Sequence, residues 1–262
     1  MTEISKAGYA AGRFLPCLMI ALLLSGIAGC TTVKSASPRL EELIRRHTEA
    51  RGGTAAIEAI RTLEAKLRIV EPTYTADGTW RVDRKGRMHI DVFIGGRRVF
   101  TESYDGERGW QLPAGATHGT LASAVGTAAL RHSGQLPTNI LGLHEMAAHG
   151  HRLDFAGREE IAGVRYYVLV LTLDDGFVTR YYIDPESFLL TRARVHKALH
   201  PDADPTPTTI ETVWSDFRQV AGARFPFQAA DTDLATGKLL QTTTLLDLRA
   251  NVPLEENLFQ MP

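Results

Sequence analysis

Leu63-Glu64-Ala65-Lys66-Leu67-Arg68-Ile69 alternates apolar and charged residues without a break. A period of two puts Leu63, Ala65, Leu67 and Ile69 on one face of a strand and Glu64, Lys66 and Arg68 on the other. A helix would need apolar spacings of three and four. The alternation returns in Thr79-Trp80-Arg81-Val82-Asp83, and again where Met88, Ile90, Val92 and Ile94 interleave with His89, Asp91 and Phe93. Asp77-Gly78, Lys85-Gly86, Gly95-Gly96 and Asp105-Gly106 separate these runs as turns. The reading is an antiparallel meander with one wetter face.

Downstream the pattern pauses over residues 112–150. Thr120–His132 is Ala-rich and reads as helical, and Pro137–Ala148 carries Ile140, Leu141, Leu143 and Met146. Both read as short helices inserted between strands. Strands resume with Arg152–Glu159 and then Val164–Leu171, which is apolar on both faces. Phe177–Ile183, Leu189–Val195, Ile210–Phe217, Phe225–Asp231 and Leu239–Leu248 follow, with a Pro-rich loop over residues 200–207. About ten strands at this spacing predict a barrel or a strongly curled sheet, mainly β with a few helices. The tail, Leu254–Pro262, reads as an extended end.

Upstream, Ser37-Pro38 opens a helix with Ser37 as its cap. Leu40, Leu43, Ile44 and His47 share one face of it. Gly52-Gly53 interrupts, and Thr54 caps a second helix carrying Ile57 and Ile60 and ending near Leu63.

The first residues are of another kind. Lys6 and Arg13 precede an apolar run, Phe14–Leu24, which is followed by Ser25-Gly26-Ile27-Ala28-Gly29-Cys30. Charge, apolar stretch and small residues in that order form a secretory signal peptide. The run is about half the length of a membrane-spanning helix. Ile27-Ala28-Gly29-Cys30 resembles a bacterial lipobox, which implies lipidation of Cys30 as the new N-terminus. Thr31 at the next position, where an Asp would imply inner-membrane retention, points by analogy to the outer membrane facing the periplasm. The expected organisation is a signal peptide over 1–29, a lipidated Cys and polar tether over 30–38, and one domain over 39–262 with a lid insertion at about 112–150.

The net charge of −1 carries no basic stripe, which argues against nucleic acid as a partner. Of two cysteines, Cys17 leaves with the signal peptide and Cys30 takes the lipid. No thiol remains for a disulfide, a metal or a nucleophile, so a mature chain of about 230 residues rests on its core.

A family resemblance rests on Ala50-Arg51-Gly52-Gly53 with Ile57, Ile60 and Leu63; on Tyr104-Asp105-Gly106 with Gly109-Trp110; on Tyr182-Ile183-Asp184-Pro185; on Trp214-Ser215-Asp216-Phe217 with Phe225-Pro226-Phe227; and on the closing Leu258–Pro262. In this order, over about residues 39–262, they resemble the outer-membrane lipoprotein-sorting superfamily of the LolA carrier and the LolB receptor, nearest to its uncharacterised lipoproteins. The resemblance implies a half-open antiparallel β-barrel of about eleven strands, with an N-terminal helix and a helical lid over an apolar cavity that binds acyl chains.

A half-open barrel leaves its inward side free for lipid tails. The candidate lipid-binding residues are Leu67, Ile69, Trp80, Val82, Met88, Ile90, Val92, Tyr166, Val168 and Val170. No cofactor, metal or catalytic residue is assigned. His144, His149 and His151 lie close together, but the zinc spacing of His-Glu-x-x-His is missing, and they read as solvated lid residues. Gly-x-Ser-x-Gly is absent around Ser123 and Ser133. Asp174-Asp175 and Glu159-Glu160 read as turn residues, and Arg97-Arg98 as a solvated edge. The functional expectation is a monomeric, non-enzymatic lipoprotein that binds a lipid such as palmitate, or lipoprotein acyl chains, in lipoprotein or lipid transport. The alternative is a non-catalytic envelope structural or signalling protein that contacts a protein partner.

Overall fold

The structure is a computed structural model that describes residues 38–262. Cys30, the signal peptide, the tether up to Ser37 and the Ser37 cap lie outside the described residues. Residues 38–262 belong to one compact unit.

The chain opens with α1 (Pro38–Ala50) and the short α2 (Thr54–Glu58). Five strands follow: β1 (Thr62–Val70), β2 (Thr75–Asp83), β3 (Met88–Ile94), β4 (Arg97–Tyr104) and β5 (Gly109–Pro113). Next come β6 (Thr120–Leu121) and α3 (Ala124–Gly134). The second run of strands is β7 (Arg152–Ile161), β8 (Val164–Thr172), β9 (Val178–Ile183), β10 (Leu190–Lys197), β11 (Thr208–Val220), β12 (Ala223–Asp233) and β13 (Leu239–Ala250).

All 13 strands join one antiparallel sheet in the order β6-β5-β4-β3-β2-β1-β13-β12-β11-β10-β9-β8-β7. This exceeds the ten or eleven strands anticipated. β4 begins on Arg97-Arg98, β5 has five residues and β6 only two, so none shows a long alternation. The sheet is open, with β6 and β7 at its two edges. It is also curled. Tyr104 of β4 and Leu169 of β8 belong to one buried cluster, although their strands stand third and twelfth in the order. In a flat sheet that offset would separate them by about 40 Å.

Two helical expectations change. Thr54 is the first residue of α2, and Gly53 occupies the cap position without a side-chain bond. Pro137–Ala148 keeps only one short 3-10 turn, Leu143–Glu145. The tail also folds: it turns at Glu256–Phe259, and Phe259 is fully buried.

Register shows which residues share the concave face. Opposed residues in an antiparallel pair point to the same side. Ile69 pairs with Thr243, Thr243 with Ala229, and Ala229 with Trp214. Farther along, Thr212 pairs with Ala193 and Ala193 with Tyr181.

α1 and α2 plug one end of this curl. Leu40, Leu43, Ile57 and Ile60 are buried there. Arg51 follows α1 and is buried as well. Its guanidinium donates to the carbonyls of Leu141 (2.8 Å), Asn139 (2.9 Å) and Pro137 (2.5 Å), which pins the irregular 137–148 segment. The helix break at Gly52 has a steric cause: with φ at +120°, an added Cβ would lie 2.1 Å from the Gly222 carbonyl oxygen.

Candidate functional site

At the other end of the curl lies a cavity of about 360 Å³. That volume falls in the ~300–1,000 Å³ range of small-molecule sites. Ala193, Val195 and Lys197 of β10 form its floor with Thr179 and Tyr181 of β9 and Thr212 and Trp214 of β11. The Tyr181 and Trp214 rings stack with centroids 6.2 Å apart. Val125, Ala128, Ala129 and His132 of α3 form one wall. Ala198, Pro201, Pro205 and Pro207, in the connection from β10 to β11, close another.

α3 holds its place by contacts to both halves of the sheet. Ser123 caps it by accepting from the Gly126 amide at 2.9 Å. Leu130 is buried against the core. Arg131 bridges to Asp174 at 2.5 Å, and His132 bonds to Asp175 at 2.7 Å while stacking on Phe177 at 4.0 Å. The aspartates of the β8–β9 turn therefore serve to moor α3.

The β10–β11 connection, residues 198–207, forms a strap. It leaves the β10–β11 half of the sheet and fastens to the other half at three points. His200 Nε2 pairs with Glu71 at 2.8 Å. The Gln111 side-chain amide donates to Asp202 at 2.7 Å, and the Ser123 backbone amide donates to Asp202 at 3.2 Å. In sequence these residues read as a plain Pro-rich loop. The prolines that mark it as a loop also make its inner face apolar.

Polar groups interrupt the apolar lining, among them Thr179, Tyr181, Lys197 and Thr212. The Tyr181 hydroxyl is buried and makes no hydrogen bond within 3.5 Å, with the Thr179 hydroxyl nearby. Burial raises its pKa, so it stays a neutral donor. Lys197 keeps an accessible surface because it lines a hollow, but the protein around that hollow pushes its ammonium below the usual lysine range. Asp231 attracts it from beyond ion-pair distance; burial raises the Asp231 carboxyl, which accepts from Thr212 at 2.5 Å.

The ten anticipated lipid-binding residues divide into two sets, and none of them lines this cavity. Leu67, Ile69, Trp80, Val82, Met88, Ile90 and Val92 share the concave face, through the pairs Leu67–Gly78, Ile69–Ala76, Trp80–Ile90, Val82–Met88 and Gly78–Val92. Leu67, Val82 and Met88 are buried among neighbours, while Ile69, Trp80, Ile90 and Val92 are half-buried. Tyr166, Val168 and Val170 face the opposite way. Tyr166 and Val168 form a separate buried cluster with Tyr182, whereas Tyr167, Leu169 and Leu171 enter the main core. β8 is apolar on both sides, so its sequence carries no phase, and the reading was one residue out.

The other candidates go to separate partners. His144 contacts Thr48 at 3.3 Å and Glu58 at 3.5 Å. His151 is buried rather than solvated and accepts from the Asp174 amide at 3.3 Å. His149 is exposed. Among the described residues no cluster of three or more His, Cys, Asp or Glu could hold a metal. Glu159 lies within β7, not at a turn, and bonds Arg194 at 2.5 Å and the Tyr182 hydroxyl at 3.1 Å. Arg98 is not a solvated edge residue; it donates to Thr101 at 2.9 Å and to the Leu112 carbonyl at 3.2 Å. Ser133 lies beside the His132–Asp175 pair in sequence, but its hydroxyl donates to the Leu130 carbonyl at 3.0 Å, so no serine relay forms there.

This architecture has known counterparts. A LolA superfamily protein from Nitrosomonas europaea matches with a TM-score of 0.54 at 12% identity, over 84% of this chain and 96% of that one. A DUF1329 family protein from Desulfovibrio piger gives 0.53 at 12% identity, over the same shares. The fold is that of the LolA superfamily. No family model and no curated protein matches the chain. At such identity a shared LolA-like fold leaves function to be argued from the hollow itself. Among the described residues no helix is long and apolar enough to cross a membrane.

Proposed function

We propose that this protein is a lipoprotein of the cell envelope, anchored through Cys30 in the outer membrane and facing the periplasm, that holds a lipid or lipoprotein acyl chains in its concave hollow. The observation that carries this reading is the cavity of about 360 Å³ whose lining is mainly Ala, Val, Pro and aromatic side chains. Ile69, Trp80, Ile90 and Val92 continue the same concave face beyond it. Binding is non-covalent and needs no catalytic residue. A chain of about 16 carbons at ~0.8 kcal/mol per CH₂ gains roughly 10 kcal/mol gross, before the cost of ordering chain and lid.

Residues 38–262 contain every strand and the buried core of the described chain, so residues 31–262 serve as the test protein. Native mass spectrometry of this piece, purified from the periplasm of expressing cells, is expected to show an added lipid mass. Ala193→Trp, which fills the floor of the cavity, is expected to remove it. A bare protein that also takes up no fluorescent fatty acid refutes the reading.

A further inference from the structure

We infer that the ligand is a single-chain amphiphile with a carboxylate head, its chain between α3 and β9–β11 and its head on Lys197. This rests on the acyl-binding reading and specifies its ligand.

Size comes first. About 360 Å³ lies near the lower bound of ~300 Å³ for ligand sites, which suits one chain better than several. Charge comes second. Lys197 is the last residue of β10, pairs with Thr208 at the root of the strap, and lines the cavity. No carboxylate of the described residues lies within 4.0 Å of its ammonium, and no hydrogen bond to it is formed. The other cationic groups of β10 differ in this respect. Arg192 and Arg194 point to the outer face and are both tied to Glu211, at 2.7 and 2.8 Å.

Asp231 is a poor counter-ion for Lys197. It stands beyond contact, its carboxyl is raised by burial, and one oxygen is taken by Thr212. Lys197 is solvent-accessible and has no ion-pair partner among the described residues, so its charge is open to an anion at the mouth of the cavity. A ligand carboxylate would supply that anion at the mouth while the chain runs inward. The Tyr181 hydroxyl, buried beside Thr179, lies deeper in the same lining and takes no part in the head site. Ala193, Val195 and Lys197 alternate along β10, with Tyr181 opposite Ala193 and Thr179 opposite Val195. Polar groups thus recur along an otherwise apolar wall that ends at Lys197.

The test compares palmitate with cetyl alcohol, its uncharged analogue, by displacement of a fluorescent fatty-acid probe from residues 31–262. The expected result is that palmitate binds about ten- to a hundredfold more tightly than the alcohol, the usual yield of a charge-assisted contact. Lys197→Met should erase that preference by weakening palmitate, with the near-ultraviolet circular dichroism unchanged, while Lys197→Arg should keep it. Equal binding of acid and alcohol by the wild type, or a preference that survives in Lys197→Met, overturns the carboxylate assignment and leaves the acyl cavity standing. Preference for vesicles of phosphatidylglycerol over palmitate also overturns it, in favour of a diacyl phosphate ligand. Failure to bind any of the three lipids removes the acyl-binding reading itself.

Discussion

His47 illustrates how one α1 residue ties pH to stability. It is buried on the helix face that the sequence pattern assigned to the core. Its Nδ1 donates to the Phe188 carbonyl at 2.9 Å, while Nε2 is buried without a partner. That arrangement suits the neutral ring. Burial, helped by the nearby Arg51 charge, pushes its pKa down to about 3 from 6.5. The unfolded chain therefore takes up a proton below about pH 6.5 that the folded chain refuses, so stability is full above that value and falls as the solution is acidified. The loss from this group is on the order of 2 kcal/mol between about pH 7 and about pH 5. Urea titrations across that interval should show His47→Asn, which keeps a donor toward Phe188 but cannot titrate, with a shallower pH slope than wild type. Identical slopes would show that His47 takes up its proton equally in the folded and unfolded chain. Arg51, one turn on, behaves differently. Burial brings its pKa down to about 10, so it remains charged at neutral pH, where the carbonyls of the 137–148 segment surround it.

At the scale of elements, the strap over residues 198–207 is the part best placed to admit a ligand. Its anchors are few and polar: His200 on Glu71, and Asp202 on Gln111 and Ser123. Exposed contacts of this kind contribute about 1 kcal/mol or less each. α3 is held more firmly, by Leu130 in the core and by Arg131 and His132 on the β8–β9 turn. Opening by the strap is therefore less costly than opening by α3. Asp202→Ala removes two of the three fastenings. Amide hydrogen exchange should speed up over residues 198–207 in this variant, with β9–β11 still protected, and lipid release should quicken by several-fold. Unchanged exchange in the strap would mean that its prolines, not Asp202, hold it in place.

For the whole molecule, the open sheet raises the question of what keeps its edges from pairing with another copy. β6 offers only two residues. β7 is long, but its exposed positions include Arg152, Asp154, Arg158 and Glu160. Charged edges of this kind oppose strand addition. Sedimentation velocity on residues 31–262 should give one monomeric species at micromolar concentration; a concentration-dependent dimer would show that the β7 edge is used. The sequence by itself determined the β class, the opening helix, most strands and the concave phase of β1–β3, because Glu64, Lys66 and Arg68 mark one side of a half-wet strand. It could not phase β8, where both faces are apolar; it marked β4 and β5 only by the turn at Asp105-Gly106 between them, and it passed over the two-residue β6. Only the tertiary structure decided where the hollow lies. Lys197, Tyr181, Trp214 and Pro201 come from separate strands and a loop, and no local spacing joins them. They meet because the sheet curls, and curling belongs to the strand register as a whole, whereas periodicity reports only which side of its own strand a residue takes.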